Sequence, residues 1–200
     1  MPRAMSLLML LLAPALAAQA VPQPASQSAE LALALSAAPE HLRGGAQVYV
    51  LGPQGYELAR PGNNGFTCLV EREQPATVEP VCYDAVGSAA FVPVALARAA
   101  ARAAGRDEAT IRAEVEAGYR SGRYRGPAGP GIAYMLATEQ SVRDEASGEV
   151  VRYVPHLMFY VPRARAGALG LESPDLAGPK GAPFLIYEDD PRAMIIVPVH

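Results

Sequence analysis

The sequence lacks the short motifs that mark the commonest catalytic, metal and nucleotide sites. It has no His-Glu-x-x-His pair, no Cys-x-x-Cys pair and no calcium-binding loop. The stretches LRGGAQ and PGNNGF lack the Gly-x-Gly-x-x-Gly and Gly-Lys-Ser/Thr contexts that cradle phosphate groups. Ser88 lies in VGSAA, which does not have the Gly-x-Ser-x-Gly spacing of a nucleophile elbow. Local sequence therefore assigns no catalytic residue, no metal and no cofactor, and it leaves open whether the protein is an enzyme.

Apolar runs long enough to span a bilayer are missing as well. The first twenty residues, MPRAMSLLMLLLAPALAAQA, place Arg3 before an apolar run at 7–12 and end in Ala-Gln-Ala. This pattern predicts a secretory signal peptide cleaved near Ala20. The run is much shorter than the ~20 apolar residues that a spanning helix needs. We expect an exported, soluble protein, periplasmic or secreted, with no transmembrane segment.

Positive charge is scarce, since Lys180 is the only lysine. Removal of the signal peptide takes away Arg3 and no acidic residue, so 17 basic side chains become 16 against 20 acidic ones, a net charge of −4. A protein that binds nucleic acid by neutralising phosphates is typically basic. The composition therefore argues against a nucleic-acid partner and leaves an unknown small molecule or protein.

Cysteine is limited to Cys68 and Cys82. Each lies in a strand-like segment, FTCLV and VEPVCY, with a polar stretch between them. Exported cysteines are normally oxidised, so we predict a disulfide across adjacent strands. Closing a loop of this length stabilises a fold by about 3 kcal/mol in the chain-entropy model.

The remaining chain is long enough for one domain. Residues 21–40 have the composition of a flexible leader with a short helix at 30–37, and residues 41–200 are expected to form a single domain. Alternating patterns and turn signals predict four strands, which we expect to form a meander, at 47–51, 56–60, 66–73 and 77–83.

Two helices follow, at 91–105 and 108–122, with Pro93 expected in the first turn of the first helix. Strand patterns then resume and predict further strands at 132–138, 150–154, 156–162 and in the segments PFLIYE and AMIIVPV. The segment 163–182 has no clear period and is expected to be a surface excursion. Strands, a helical hairpin and strands again indicate an α+β fold with a largely antiparallel sheet, an inserted helical hairpin and one disulfide.

The stretch VPHLMFYVP contains His156, one of three histidines in the chain. Strand alternation places His156, Met158 and Tyr160 on one face and the apolar side chains of Leu157, Phe159 and Val161 on the other. The second face is expected to be the more buried one. The His-Met-Tyr face then either lines a pocket or packs under the helices.

A copper site is one hypothesis for His156 and Met158, because an imidazole and a soft thioether two residues apart can bind one Cu(I) ion. A third ligand would have to come from Met135, His41 or His200 through folding. An alternative is that His156 is a core histidine with its hydrogen bonds satisfied.

An exported hydrolase is another hypothesis, with His156 acting as an acid–base group beside a carboxylate. Asp189 and Asp190 in YEDDP, or Glu139, could orient the ring and shift its pKa. The segment EDDP also fits an ordinary solvated turn.

Arg120, Arg123 and Arg125 lie in GYRSGRYRGP at the end of the second predicted helix. Three guanidinium groups beside two tyrosines could bind a carboxylate or phosphate through bidentate hydrogen bonds. Cations are also favoured at a helix C-terminus without any ligand.

The stretches APEHLRGGAQVYVLG, NGFTCLVERE, PVCYDAVGS and PHLMFYVP resemble exported bacterial proteins of unknown function, over residues 38–199. The resemblance implies an exported single domain and supplies no activity. From the residues we expect non-enzymatic binding of a ligand or partner, through a pocket near 156–160 and the arginine segment.

Overall fold

The structure is a computed structural model that describes residues 26–72, 77–143, 147–171 and 182–199. The helices are α1 (Gln27–Ser36), α2 (Glu40–Arg43), α3 (Ala85–Ala103), α4 (Glu108–Ser121) and α5 (Ala166–Leu169). The strands are β1 (Gln47–Gly52), β2 (Gly55–Arg60), β3 (Thr67–Glu71), β4 (Glu79–Tyr83), β5 (Gly131–Met135), β6 (Ser141–Arg143), β7 (Val150–Arg152), β8 (His156–Tyr160), β9 (Phe184–Ile186) and β10 (Met194–Pro198).

Eight strands form one sheet in the order β2-β1-β3-β4-β5-β8-β10-β9. Every neighbouring pair in it is antiparallel except β1 and β3, which are parallel. Strands β6 and β7 form a separate hairpin that is joined to the main sheet region by a bridge between Val78 and Ser141. The predicted α+β class with a largely antiparallel sheet is confirmed.

The first four strands do not form the predicted meander, because β3 pairs with β1 rather than with β2. The four residues Thr67–Val70 of β3 are all buried, so this strand needs cover on both faces of the sheet. Strand β2 exposes Glu57 and Leu58 and is suited to the edge. Placing the buried β3 inside the sheet and the more exposed β2 at its edge therefore outweighs the short connection between neighbours in sequence.

Helices cover the two faces of the sheet and create two apolar cores. On one face, Leu69 and Val81 pack with Phe91 of α3. On the other, Cys68 and Val70 pack with α1. Helix α1 begins after the N-cap Ser26, whose hydroxyl accepts a hydrogen bond from the backbone of residue 29. The helix expected in segment 21–40 thus packs directly against the sheet.

Cys68 and Cys82 are direct partners in the antiparallel β3–β4 pair and form a buried disulfide. The predicted disulfide is confirmed. Facing positions in an antiparallel pair bring the two side chains onto the same face, here the one that α1 covers.

Helix α3 starts six residues before the predicted boundary. Asp84 is its N-cap and accepts a hydrogen bond from the backbone N–H of Gly87, so Pro93 lies inside the helix and not in its first turn. The expected position of Pro93 is therefore wrong. An aspartate at the N-cap and the apolar packing of Phe91 and Val92 compensate for the hydrogen bond that Pro93 cannot donate.

Helix α3 also has the length and mean hydropathy of a weak membrane-span candidate, and no other helix in the described ranges does. Its residues Ala90, Phe91 and Ala95 pack in the core over the sheet. The described part of the chain has no clear transmembrane segment.

Candidate functional site

A pocket of about 140 Å³ lies between the ends of β3 and β4, helices α3 and α4, and the turn that joins β9 to β10. We refer to it as the Glu71 pocket. Phe91 and Met194 are among its five apolar lining side chains. Its polar lining residues are Glu71, Tyr83, Arg98, Tyr119, Tyr187 and Arg192.

Glu71, which lines the pocket, faces a second acidic residue in the β3–β4 ladder. Glu71 ends β3, and its direct partner in the antiparallel ladder is Glu79, at the start of β4. Directly opposed side chains lie about 5 Å apart at Cβ. Tyr83 lies on the same face as Glu79, and its hydroxyl donates a hydrogen bond of 2.7 Å to Oε1 of Glu71. A carboxyl group is thus held in place at the base of an apolar cavity.

Burial makes ionisation of this pair of carboxyl groups costly. It raises the pKa of Glu71, although the hydrogen bond from Tyr83 and the charges of Arg98 and Arg102 act in the opposite direction. Burial and the neighbouring Glu71 raise the pKa of Glu79 to about 8. The two groups therefore retain at least one proton between them at neutral pH.

The outer wall of the pocket is built around Arg192. Its guanidinium donates to both carboxylate oxygens of Asp190, at 2.8 and 2.9 Å, and to Glu116 of α4 at 2.8 Å. It also lies over two rings, 4.4 Å from the centroid of Tyr119 and 5.2 Å from that of Tyr187. These contacts join α4 to the β9–β10 turn and lower the pKa of Asp190, whose carboxylate accepts from Arg192.

The β9–β10 turn is strained where it borders the pocket. Tyr187 and Asp189 have φ angles of 55° and 59°, in the left-handed region that side chains such as tyrosine rarely adopt. Such residues cost about 1–3 kcal/mol each and persist where surrounding contacts hold them. In this turn, the stacking of Tyr187 on Arg192 supplies such a contact.

The predicted site strand, β8, packs against α3 through Tyr160. Met158 and Tyr160 lie in the same core as Phe91 of α3, whose ring centroid is 5.4 Å from that of Tyr160. Phe159 on the opposite face is 38% exposed. The expectation that the Leu-Phe-Val face is the more buried one is therefore wrong. Helix α1 covers that opposite face only over β1, β3 and β4, and it does not reach β8.

His156 is buried at the start of β8, and its Nδ1 lies 2.9 Å from the backbone oxygen of Val154. A carbonyl oxygen only accepts, so Nδ1 carries the proton and Nε2 keeps a lone pair. Burial lowers the pKa of His156. The ring is therefore neutral at physiological pH.

Two of the carboxylates considered as partners for His156, those of Asp189 and Asp190, lie at the other end of β8. Strands β8 and β10 pair Tyr160 with Met194 and His156 with Pro198, so the turn before Met194 lies at the Tyr160 end of β8. In that turn, Asp189 bonds to Arg165 and Asp190 bonds to Arg192. Glu139 is exposed in the loop that follows β5. The structure does not place the two aspartates beside the histidine.

Arg120, Arg123 and Arg125 are exposed at the end of α4 and in the loop after it. Arg123 lies over the ring of Tyr124, with 4.7 Å between its Cζ and the ring centroid. None of the three belongs to the lining of the Glu71 pocket. The structure thus separates the arginine segment from both His156 and the pocket.

Sequence reasoning overlooked Glu71 at the floor of the pocket and its ladder partner Glu79. The two glutamates lie within the predicted strand segments FTCLVERE and TVEPVCY. Alternation from Leu69 and Val81, two inward apolar residues, places both glutamates on the inward face. An acidic residue at an inward position of two consecutive strands is the signal that could have found them.

Groups of three or more His, Cys, Asp or Glu side chains able to bind a metal ion do not occur among the described residues. Comparison of the chain with protein-family models, curated proteins and solved structures found no match. What the protein does must therefore be argued from the chemistry of its own α+β domain and the Glu71 pocket.

Proposed function

We propose that the protein is an exported binding domain that holds a small molecule in the Glu71 pocket without chemical conversion. The observation that carries this proposal is the carboxyl group of Glu71, fixed by Tyr83 at the base of a cavity of about 140 Å³. Ligand sites are typically concave and apolar, with a few polar groups that set the orientation of the ligand. In the Glu71 pocket, the apolar side chains of Phe91 and Met194 lie beside polar groups that can set such an orientation, although the polar residues are more numerous than in a typical site.

The size of the cavity limits the part of a ligand that it can enclose. An apolar cavity of about 150 Å³ is known to accommodate benzene. The Glu71 pocket therefore has room for one ring or a short aliphatic chain with a polar head. Tyr187 is 53% exposed, so a longer ligand would extend into solvent past this ring.

Binding is favoured over catalysis by the lining of the pocket. Among the described residues, the lining includes no serine, cysteine or histidine that could act as a nucleophile or as its base. Export is supported by the N-terminal sequence pattern at 1–20, which lies outside the described residues, and by the disulfide between Cys68 and Cys82.

Occupation of the pocket should be blocked by Ala95→Leu, because Ala95 lines the cavity and a larger side chain fills it. Benzyl alcohol, benzylamine and benzoate are suitable probes, since each has one ring and one polar head. At about ten times its dissociation constant, a bound probe stabilises by about 1.4 kcal/mol and should raise the melting temperature of the wild-type protein by about 3–6 °C. Differential scanning fluorimetry provides the measurement.

The matched control for this experiment is Ala89→Leu, at an exposed position of the same helix. It should respond to the probes as the wild-type protein does. Equal responses of all three proteins, or no response to any probe, would contradict the proposed function.

A Cu(I) site around His156 is a second candidate function, and one observation favours it. Met135 of β5 is the direct cross-strand partner of His156, and Met158 follows on the same face of β8. The buried Oε1 of Gln140 has no hydrogen-bond partner in the described structure, and the Nε2 of this side chain donates to the backbone oxygen of Met135. The imidazole of His156, the amide oxygen of Gln140 and two thioethers are thus potential ligands near the start of β8. Thioethers are ligands that bind Cu(I).

Met158→Leu should weaken Cu(I) binding by about tenfold or more if the thioether is a ligand, since leucine conserves volume but offers no electron pair. The measurement is an anaerobic titration with bicinchoninate as competitor. Met194→Leu is the control, because Met194 lies in the same core but is not next to His156. Identical affinities of the two variants, or no Cu(I) uptake by the wild-type protein, would eliminate this candidate.

A further inference from the structure

The net charge around Glu71 depends on pH. Among the described residues, six titratable groups interact with this carboxyl, namely Tyr83 and Glu79 on β4, Arg98 and Arg102 on α3, Tyr56 on β2 and Tyr187 in the β9–β10 turn. The tyrosines stay neutral, because a tyrosine hydroxyl ionises only near pH 10 and burial raises the pKa of Tyr56 and Tyr83 further. The carboxylates and the arginines therefore decide the net charge.

Arg102 forms an ion pair with Glu108, which offsets most of its positive charge. While the Glu71–Glu79 pair retains a proton, its one carboxylate and the guanidinium of Arg98 balance each other. One negative charge is in excess beside the pocket once both carboxyl groups are ionised, as pH rises through the pKa of Glu79, about 8. At the outer wall, Arg192 is matched by Asp190 and Glu116 and leaves no excess positive charge there.

Aromatic rings surround the space above this carboxyl pair. Tyr83 and Phe91 lie with their centroids 5.4 Å apart at the floor. At the wall, Tyr119 and Tyr187 already bind a cation, because the guanidinium of Arg192 lies over both rings. The faces of such rings attract positive charge, and quaternary and primary ammonium groups are bound in proteins by rings of this kind.

From this arrangement we propose that the Glu71 pocket is selective for small organic ammonium compounds, whose positive head pairs with the carboxylate of Glu71 and whose apolar body lies against Phe91 and Met194. This inference rests on the proposed binding function of the same pocket. An anionic ligand fits less well, because it would bring a third carboxylate or phosphate beside Glu71 and Glu79. The Nε and both terminal nitrogens of Arg192 already donate to Asp190 and Glu116.

Binding of an amine in the Glu71 pocket should release protons. An ammonium group pairs with ionised Glu71, so binding must displace a proton from the Glu71–Glu79 pair wherever that pair is still protonated. Affinity for an amine should therefore rise between about pH 6 and pH 8.5, a range in which a primary amine itself stays protonated.

Three probes of equal size and different charge test the selectivity, namely benzylamine, benzyl alcohol and benzoate. Isothermal titration calorimetry should show that the wild-type protein binds benzylamine at least about tenfold more tightly than either of the others, since only this head forms a charge-assisted hydrogen bond. Titrations in two buffers of different ionisation enthalpy should show proton release when benzylamine binds near pH 7.

Glu71→Gln removes the charge but retains an acceptor for Tyr83. This variant should lose the preference for benzylamine while it still binds benzyl alcohol, and Glu57→Gln, at an exposed position of β2, should keep the preference. If Glu71→Gln does not fold, proton release and the pH dependence of the wild-type protein still decide the question.

The outcomes separate this inference from the proposed function. Tightest binding of benzyl alcohol or benzoate, abolished by Ala95→Leu, would overturn the ammonium selectivity and leave the pocket as a binding site. If none of the three probes binds the wild-type protein or the Ala95→Leu variant, both the ammonium selectivity and the proposed binding function would be overturned. Preference for benzylamine without proton release and without an effect of Glu71→Gln would overturn the role of Glu71.

Discussion

Between about pH 5 and pH 8.5, the free energy of unfolding should fall by about 2–4 kcal/mol, because buried carboxyl groups are forced to ionise. The pKa of Glu79 is about 8 in the folded protein, against 4.5 in an unfolded chain. A carboxyl with a raised folded-state pKa contributes its full stability below the unfolded value and loses it as pH rises through the folded value. Glu71 acts in the same direction, since burial raises its pKa as well.

The size of the effect is set below that of the full pKa shift, because solvent still reaches part of the Glu79 residue. Glu79→Gln should remove about half of the fall, since glutamine has the shape of the protonated acid and no charge to lose. Urea denaturation at a series of pH values measures the slope directly. Glu57→Gln, which changes an exposed carboxylate on β2, should keep the wild-type slope. An unchanged slope in Glu79→Gln would show that this residue is not the buried acid.

Glu30→Ala should lower the free energy of unfolding by about 3–5 kcal/mol, because it leaves a buried arginine without its counter-charge. Glu30, in the first turn of α1, is 2% exposed, and it accepts two hydrogen bonds from Arg72 at 3.1 and 2.7 Å. The side chain of Arg72 is 10% exposed. Equilibrium unfolding in urea measures the loss.

The double variant Glu30→Met with Arg72→Met is the control for this prediction. Replacing both members of a buried ion pair by apolar residues of similar volume is often neutral, so the free energy of unfolding of this variant should lie within about 1 kcal/mol of that of the wild-type protein.

Glu30→Ala should also speed reduction of the disulfide by dithiothreitol, because α1 covers Cys68 and Cys82. A loss below about 1 kcal/mol in Glu30→Ala would mean that the pair is solvated and that packing alone holds α1.

The disulfide and helix α4 could be predicted because their signals are local. Cys68 and Cys82 lie in two apolar segments separated by a short polar stretch, and this arrangement alone favours a strand pair with facing cysteines. Asp107 is the N-cap of α4, and Ile111 and Val115 form its buried stripe, as their spacing predicts. Each of these features depends on fewer than about 20 residues of chain, within which propensity and periodicity act directly.

The position of β3 could not be predicted in the same way. Local turn signals favour a partner among sequence neighbours, but strand order depends on which strand most needs cover on both faces, and that comparison involves the whole sheet. The burial of β8 has the same origin. Alternation defines the two faces of β8 from its sequence. Tyr160 is buried because α3 covers its face, whereas Phe159 is exposed because the main contacts of α1 on the other face are with β1, β3 and β4.

The sequence by itself determined the α+β class, the disulfide and the two faces of each strand, since these follow from periodicity over short distances. Only the tertiary structure brought Glu71 and Tyr83 together with Tyr119 of α4 and with Tyr187 and Arg192 of the last turn. Glu71 and Arg192 are more than about a hundred positions apart in the chain. They come together because elements distant in sequence bury their apolar faces against each other. Such long-range packing leaves no pattern in any short segment, and for that reason the Glu71 pocket is visible only in the folded protein.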